Sequence, residues 1–154
     1  MIDLVALPYT HPDAAALVAA AERDLVARYG DGDATPIDAA DFAPPRGTFL
    51  VAYLDGRPAA CGGIRAHGPD AELKRLYVIP EARRRGLATA VLTELERRAR
   101  AAGYARLILE TGTRQPEAIA LYRALGYTEI APFGVYACSP NAVHLGKVLD
   151  PDPG

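Results

Sequence analysis

The sequence predicts a mixed α/β fold: a mostly antiparallel sheet of about seven strands, a central parallel β-α-β unit, and helices on both faces. Segments of strand length alternate with helical patterns along the 154 residues. The segments at 48–54, 57–66 and 71–78 are joined by short connections, as antiparallel strands are. A long helical pattern then separates 71–78 from a strand at 105–111, and such a crossover makes these two strands parallel.

Length and composition limit the classes of protein. A chain of this size suits one domain, which we expect to span residues 1–150, with a frayed tail at 151–154. The net charge of −2 argues against a dedicated nucleic-acid binder. No apolar stretch approaches the roughly 20 residues of a membrane helix, and the N-terminus lacks the basic region of a signal peptide. We therefore expect no nucleic-acid or membrane partner.

The spacing of the cysteines and histidines predicts neither a metal site nor a catalytic cysteine. Cys61 and Cys138 are far apart, without metal-ligand spacing or a disulfide pattern, and neither has a sequence cue for a base partner. His67 and His144 have no companion ligands at metal spacing. We expect no metal, no covalent intermediate on cysteine, and a reducing cytoplasmic location.

The N-terminal half begins with a strand at 2–7 and a helix that starts near Pro12 and ends at Gly30. A Gly-, Pro- and Asp-rich loop covers 31–47, with a short helix around Ile37–Phe42. Asp55-Gly56 predicts a tight hairpin turn between the next two strands. Gly62-Gly63, inside the second of these strands, predicts a bulge or a close backbone approach.

The clearest helix spans 86–102, and Gly103 follows it. Its polar face suggests two i,i+4 ion pairs, Glu94 with Arg98 and Glu96 with Arg100. The remaining elements are a strand at 105–111, a helix that begins at 115 and is stopped by Gly126, and strands at 128–131 and 142–149 around the loop at 132–141.

The turn before the long helix carries the strongest functional signal. Its sequence, RRRGLAT, runs from Arg83 to Thr89. Unpaired backbone N–H groups and the positive end of the helix dipole favour a phosphate or diphosphate at such a turn. Gly86 and the small Ala88 permit a close approach to the backbone. The arginines add charge, although a solvated charge run or a nucleic-acid patch would also contain them.

The pattern R-x-x-G-x-A, from Arg83 to Ala88, resembles the GNAT superfamily of acyl-CoA-dependent N-acetyltransferases, whose signature there is Q/R-x-x-G-x-G/A. The segment QPEAIALYRALGY is similar to that family's N-x-x-A-x-x-L-Y-x-x-x-G-F/Y, with Gln115 where Asn is usual. The resemblance extends over nearly the whole chain and is strongest from 71 to 127. It implies a small stand-alone acetyltransferase that uses acetyl-CoA as cosubstrate.

The resemblance also implies where the cofactor binds. The turn would hold the pyrophosphate of coenzyme A, and a backbone N–H of the preceding strand would polarise the thioester. The implied cofactor-binding residues are Leu76, Tyr77, Val78, Arg83, Arg84, Arg85, Gly86, Leu87, Ala88, Thr89, Gln115 and Ala118.

Acetyl transfer to an amine also needs a proton acceptor and a proton donor. Glu72 is the first candidate for the base, at a position where some relatives carry a catalytic glutamate; an ion pair with Lys74 or Arg75 is the alternative. Glu110 is the second candidate, and a water chain could replace both. Tyr122 matches the helix tyrosine that would protonate the leaving thiolate, unless it serves packing alone.

The acceptor is less well defined by the sequence. Asp31, Asp33, Asp38 and Asp41 lie in the loop that would wall the acceptor side, where they would suit a cationic amine unless they form only a soluble surface. Phe133 and Tyr136 would supply an apolar substrate-binding wall. We expect a small-molecule or amino-acid-like primary amine and leave a homodimer open. Alternatives are a protein lysine or N-terminus as acceptor, or a non-catalytic acyl-CoA-binding module.

Overall fold

The computed structural model describes residues 1–150; the tail predicted at 151–154 lies outside the described residues. The strands in this part of the chain are β1 (Ile2–Ala6), β2 (Thr48–Leu54), β3 (Arg57–His67), β4 (Asp70–Val78), β5 (Arg106–Gly112), β6 (Thr128–Glu129) and β7 (Ala142–Val148). The α-helices are α1 (Pro12–Tyr29), α2 (Leu87–Ala101) and α3 (Pro116–Ala124). Short 3₁₀ helices cover Ala39–Phe42 and Pro80–Ala82.

The strands form one sheet in the order β1-β2-β3-β4-β5-β7-β6. Strands β4 and β5 pair in parallel, and every other neighbouring pair is antiparallel. The crossover through α2 produces the parallel pair, because a strand that returns through a helix enters the sheet in the same direction. The predicted mixed sheet with its central β-α-β unit is confirmed.

Apolar residues cover both faces of the sheet. On one face, Leu50 and Ile64 belong to a core that includes Val91 and Leu95 of α2. On the other face, Phe49, Val51 and Cys61 pack with α1 and the 3₁₀ helix at Ala39–Phe42. Successive strand residues point to opposite faces, so an almost continuous apolar run such as TFLVA supplies both cores.

The glycines predicted to shape the backbone do so. Gly30 adopts φ 84° at the end of α1, where its N–H bonds to the Val26 carbonyl. Asp55 and Gly56 both have positive φ in the hairpin turn. A Cβ atom on Gly63 would come within 2.6 Å of the Phe49 ring. The register of β3 against β4 also shifts between Cys61 and Gly63, so this segment combines a bulge with a close approach.

Two elements are shorter than the sequence suggests. The predicted strand at 128–131 ends at Glu129, because Pro132 cannot donate to a ladder and restricts the residue before it. The helix expected around Ile37–Phe42 is a 3₁₀ helix that begins only at Ala39, where the Asp38 carboxylate accepts the Ala40 N–H.

One predicted surface ion pair is wrong. Glu94 bonds to Arg98, as expected, at 2.8 Å. Glu96 is buried instead of facing solvent with Arg100; it accepts a hydrogen bond from the Tyr127 hydroxyl at 2.6 Å and pairs with Lys147 at 3.2 Å. Tyr127 and Lys147, both distant from Glu96 in sequence, replace the water that would surround this carboxylate in the unfolded chain.

Candidate active site

The sheet opens between its two parallel strands. Strands β4 and β5 pair only at Ala71 with Leu107 and at Glu72 with Ile108. Beyond these pairs lies a cavity of about 710 Å³, with residues 73–77 of β4 and 109–112 of β5 among its walls. Arg75 adopts φ 62° where the register of β4 shifts against β3, and a bulge of this kind redirects a strand. The opening lies toward the carboxyl ends of the parallel strands, where α/β folds commonly bind ligands.

The turn into α2 lies at the same end of β4. Gly86 is the N-cap of α2, with φ 78° and no side-chain cap. The hydrogen bonds of the described part of the chain include none donated by the backbone N–H groups of residues 84–89. A Cβ atom on Gly86 would meet nothing within 4 Å. Free donors, open space and a helix N-terminus together fit a diphosphate.

The three arginines of this turn differ in their roles. All three are exposed. Arg83 folds back onto β4: its Nε donates to the Val78 carbonyl at 3.1 Å, and its guanidinium lies 5.8 Å from the centre of the Tyr77 ring. Arg84 has φ 66°, a conformation that bends the chain sharply ahead of Gly86. The turn therefore combines a sharply bent backbone with three exposed arginines.

The other residues expected to bind the cofactor lie around the opening. Leu76, Tyr77 and Gln115 line the cavity. Gln115 is the N-cap of α3, and its Nε2 lies 3.4 Å from the Tyr29 hydroxyl. Ala118 packs against the core on the α2 side. The segment from Val78 through Leu87, Ala88 and Thr89, also expected to bind the cofactor, lies outside the cavity lining.

Tyr122 also lines this cavity. It is buried, and its ring packs edge-on against Tyr127 with 5.9 Å between the centroids. Burial, and secondarily the charge of Glu110, raise the pKa of its hydroxyl well above the usual range. The phenol therefore stays protonated at neutral pH and can donate a proton.

Glu110 lies on β5 and lines both this cavity and a smaller one beside it. Burial raises the pKa of its carboxyl to about 7; the charge of Lys74 lowers it, and the charges of Asp33 and Glu72 raise it. Among residues 1–150, no ion pair and no side-chain hydrogen bond involves Glu110. A carboxyl group that titrates near pH 7 can accept a proton from an amine.

Glu72, the first candidate for the base, has a different environment. It is buried and lines only the smaller cavity. Its Oε1 accepts a hydrogen bond from Arg65 Nε at 3.1 Å, in a pair whose side chains are 8% and 13% exposed. The expected alternative partners were Lys74 and Arg75, yet the partner is the residue opposite Glu72 on β3. The Glu72 carboxylate is therefore already held in an ion pair with Arg65.

The acidic loop is largely occupied by contacts within the protein. Asp33 accepts a hydrogen bond from buried Lys74 at 2.6 Å and lies 3.6 Å from Arg75. Asp38 caps the 3₁₀ helix, and Asp41 lies 3.8 Å from Arg65. Of the four aspartates, Asp31 and Asp38 are exposed and have no ion pair among the described residues. Two of the four negative charges expected to attract an acceptor are therefore balanced by cations of the protein itself.

The smaller cavity, of about 270 Å³, contains both residues expected to bind the acceptor, Phe133 and Tyr136. Glu110 and Tyr136 line both cavities, so the two adjoin. We call the smaller cavity the side chamber. Sequence reasoning missed Arg65, which also lines it; counting residues outward from the turn at Gly68-Pro69 would have placed Arg65 opposite Glu72.

The cysteines and histidines are the remaining residues considered for catalysis or metal binding. Burial raises the pKa of the Cys61 thiol to about 12, so it is a poor nucleophile; Cys138 is exposed. The His67 and His144 rings both contact Phe133. Residues 1–150 contain no cluster of potential metal ligands. The helices of the same segment do not include one with the length and apolarity needed to cross a membrane.

Comparison with known proteins agrees with this geometry. The chain is 39% identical over 115 residues to the IAA acetyltransferase of Azospirillum brasilense, covering 73% of this chain and 75% of that protein. Its fold matches a structure from Klebsiella pneumoniae assigned as an acyl-CoA N-acyltransferase, with a TM-score of 0.81, 29% identity and coverage of 97% and 99% of the two chains. The PaiA N-acetyltransferase of Thermoplasma acidophilum, solved in complex with coenzyme A, shares the fold at 15% identity with a TM-score of 0.74 over 96% and 99% of the chains. The sequence model of the Acetyltransferase (GNAT) family matches residues 14–127, and the chain therefore belongs to this family of acyltransferases.

Proposed function

We propose that the protein is an acetyl-CoA-dependent N-acetyltransferase that transfers the acetyl group directly to a primary amine of a small-molecule or amino-acid-like acceptor. The observation that carries this proposal is the cavity where β4 and β5 separate, lined by Glu110 and Tyr122. At neutral pH, Glu110 can accept a proton because its pKa is raised to about 7, and Tyr122 carries a proton that it can donate.

In this proposal, acetyl-CoA binds to the turn before α2 and in the opening between β4 and β5. The N–H groups of residues 84–89 bind the diphosphate, with Arg84 and Arg85 adding charge. The thioester arm enters between β4 and β5 along Leu76, Tyr77 and Gln115. A backbone N–H between Leu76 and Val78 polarises the thioester carbonyl, because donors fixed in a dry site stabilise the developing oxyanion.

Glu110 is the base of this proposal, in preference to Glu72. The Glu110 carboxylate takes a proton from the acceptor ammonium; the neutral nitrogen forms the new N–C bond as the C–S bond breaks. Glu72 is less suited to this role because Arg65 holds it in an ion pair. A bound ammonium beside Glu110 would favour the charged carboxylate and so help it to ionise.

Tyr122 is the proton donor for the departing thiolate. Its hydroxyl remains protonated far above neutral pH, and its ring is fixed by Tyr127. After the proton moves to sulfur, the phenolate recovers a proton from solvent or from protonated Glu110, and the site returns to its starting state.

A small acceptor is favoured over a protein because two loops close the acceptor side together. The Tyr136 hydroxyl accepts the Ala34 N–H at 2.6 Å, and Arg65 donates to the Pro36 carbonyl at 2.9 Å. These bonds join the loop at 31–36 to the C-terminal loop and to β3. A protein segment would need an open cleft in their place. A cytoplasmic location is also proposed; it rests on cysteine usage, both thiols being free.

The test is a screen of acetyl-CoA consumption across small amines, amino acids and lysine-containing peptides, with release of free coenzyme A and mass spectrometry of the product as paired readouts. We expect acetylated small amines and no acetylated peptide. Tight binding of acetyl-CoA without coenzyme A release for any acceptor would favour the binding-module alternative. Faster transfer to peptides would favour the protein acetyltransferase alternative.

A further inference from the structure

The side chamber has a chemical character that narrows the acceptor class. Its volume of about 270 Å³ exceeds the roughly 150 Å³ cavity that accepts a benzene ring. One ring with a short alkyl chain therefore fits. Glu110 lies on its boundary with the main cavity, where the acetyl group would be delivered.

Phe133 forms a fixed apolar wall of the chamber. Its ring lies between those of His67 and His144, at 5.2 Å from each. His144 also holds the loop, because its Nε2 lies 3.3 Å from the Tyr136 carbonyl oxygen. Gly134 and Val135 continue the same wall. An aromatic or compact alkyl group would bind there without ordering the loop first, which lowers the entropic cost of binding.

The charges of the chamber exclude an acceptor carboxylate. Arg65 is its cation, and Glu72 at 3.1 Å and Asp41 at 3.8 Å already balance its charge. A carboxylate from the acceptor would compete with both and would also face Glu110. A carboxylate entering this chamber therefore finds the Arg65 charge already paired and lies near the Glu110 carboxyl.

A second ammonium group on the acceptor is disfavoured as well. Glu110 can pair with one ammonium at the chamber boundary. Along the Phe133–Val135 wall a second ammonium would meet no carboxylate, and Glu72, the other carboxylate in the lining, is already paired with Arg65. The second charge would therefore lose its water without gaining a free partner.

We infer that the acceptor is a primary amine bearing a single aromatic or compact alkyl group and no second charge, with this group against Phe133 in the side chamber and its nitrogen at Glu110. This inference rests on the function proposed above and adds the substrate class. It makes Phe133 a specificity-determining residue.

The experiment uses matched pairs of acceptors that differ by one charged group, at saturating acetyl-CoA with the full-length protein. The pairs are 2-phenylethylamine with phenylalanine, and 1-aminopentane with 1,5-diaminopentane. We expect kcat/KM to be at least about tenfold higher for the singly charged member of each pair, since leaving a charge unpaired in a pocket discriminates strongly. A preference for phenylalanine or for the diamine would overturn the inference.

The role of Phe133 is tested by comparing kcat/KM for 2-phenylethylamine and for ethylamine, whose alkyl group is too short to contact the Phe133 wall. Phe133→Ala should lower kcat/KM about tenfold for 2-phenylethylamine and less than about twofold for ethylamine, while Phe133→Leu should retain most of the activity on both. Val148→Ala, at a β7 position that is 69% exposed, is the control. Equal losses with both amines would indicate a structural role for Phe133 and would overturn its assignment.

The two levels of the proposal fail differently. If no amine releases coenzyme A, the acetyltransferase function itself fails and the inference falls with it. If amines are acetylated without the expected preferences, only the acceptor class is wrong.

Discussion

Removing the charge of Glu110 should make the protein more stable and less active. Glu110→Gln keeps the shape of the side chain. The pKa of this carboxyl is raised from 4.5 to about 7, chiefly by burial. Because each pKa unit corresponds to about 1.36 kcal/mol, ionised Glu110 destabilises the folded state by about 3 kcal/mol.

The sign of this effect depends on pH. The folded protein holds the Glu110 proton more tightly than the unfolded chain, so this group lowers stability as pH rises from about 4.5 to about 7. Below that window the group is protonated in both states and has no effect. Glu110→Gln should therefore match the parent near pH 4 and exceed its unfolding free energy by up to about 3 kcal/mol at pH 8.

Urea unfolding followed by circular dichroism at pH 4 and pH 8 measures this difference. The control is Glu94→Gln on α2, where hydrogen bonds from Arg97 and Arg98 lower the pKa of the carboxyl to about 2. Its ionised form stabilises the fold, so this variant should be less stable at pH 8; because the pair is partly exposed, the loss should stay within about 1 kcal/mol. An equal stability difference for Glu110→Gln at both pH values would refute the raised pKa.

The same variant tests catalysis independently. If Glu110 is the base, kcat/KM of the parent should fall about tenfold per pH unit below pH 7. At pH 8, kcat/KM of Glu110→Gln should be about 10²- to 10⁴-fold lower than that of the parent. The variant should not show the parent's decline in kcat/KM at low pH. A variant that keeps the parent's acidic decline would show that another group accepts the proton.

Three further substitutions probe the rest of the site. Tyr122→Phe should lower kcat at least about tenfold while KM for acetyl-CoA changes less than about threefold, and steady-state kinetics would contradict the acid role if kcat is unchanged. Gly86→Glu should abolish acetyl-CoA binding in calorimetry; Gly86→Ala places the same strain at φ 78° without the charge and should lose far less affinity. Glu72→Gln should destabilise the fold by about 2 kcal/mol in urea unfolding, because the largely buried Arg65 loses its closer ion-pair partner and keeps only Asp41; a fully stable variant would show that the pair contributes little.

The fold could be predicted from the sequence because its main signals are local. The period-3.6 pattern of α2 and the strands on either side of it determine the parallel pair, since a crossover of that length permits few alternatives. Hairpin turns such as Asp55-Gly56 require backbone angles that few residues adopt. The turn proposed to bind diphosphate is a local feature too, because its N–H donors belong to consecutive residues, 84–89.

The features that could not be predicted depend on partners distant in sequence. Glu96 follows an i,i+4 pattern with Arg100, but the fold buries it against Tyr127 and Lys147. Asp33 belongs to an acidic loop by composition, yet it is tied to Lys74, 41 residues away. Propensity and spacing describe a helix face or a loop, but which carboxylates remain unpaired depends on the assembled sheet.

The choice between Glu72 and Glu110 shows what strand register adds to such reasoning. Both lie on neighbouring strands of the parallel pair, so composition and motif treat them alike. Register places Arg65 opposite Glu72 and His144 opposite Glu110. Glu72 thus receives a cation at hydrogen-bond distance, whereas Lys74, the other nearby cation, is held by Asp33. Glu110 is left half-buried on this face without an ion pair among residues 1–150, and its desolvation accounts for the raised pKa. The carboxyl group that the fold leaves unpaired, rather than the one that the motif marks, is therefore the better candidate for moving a proton at neutral pH.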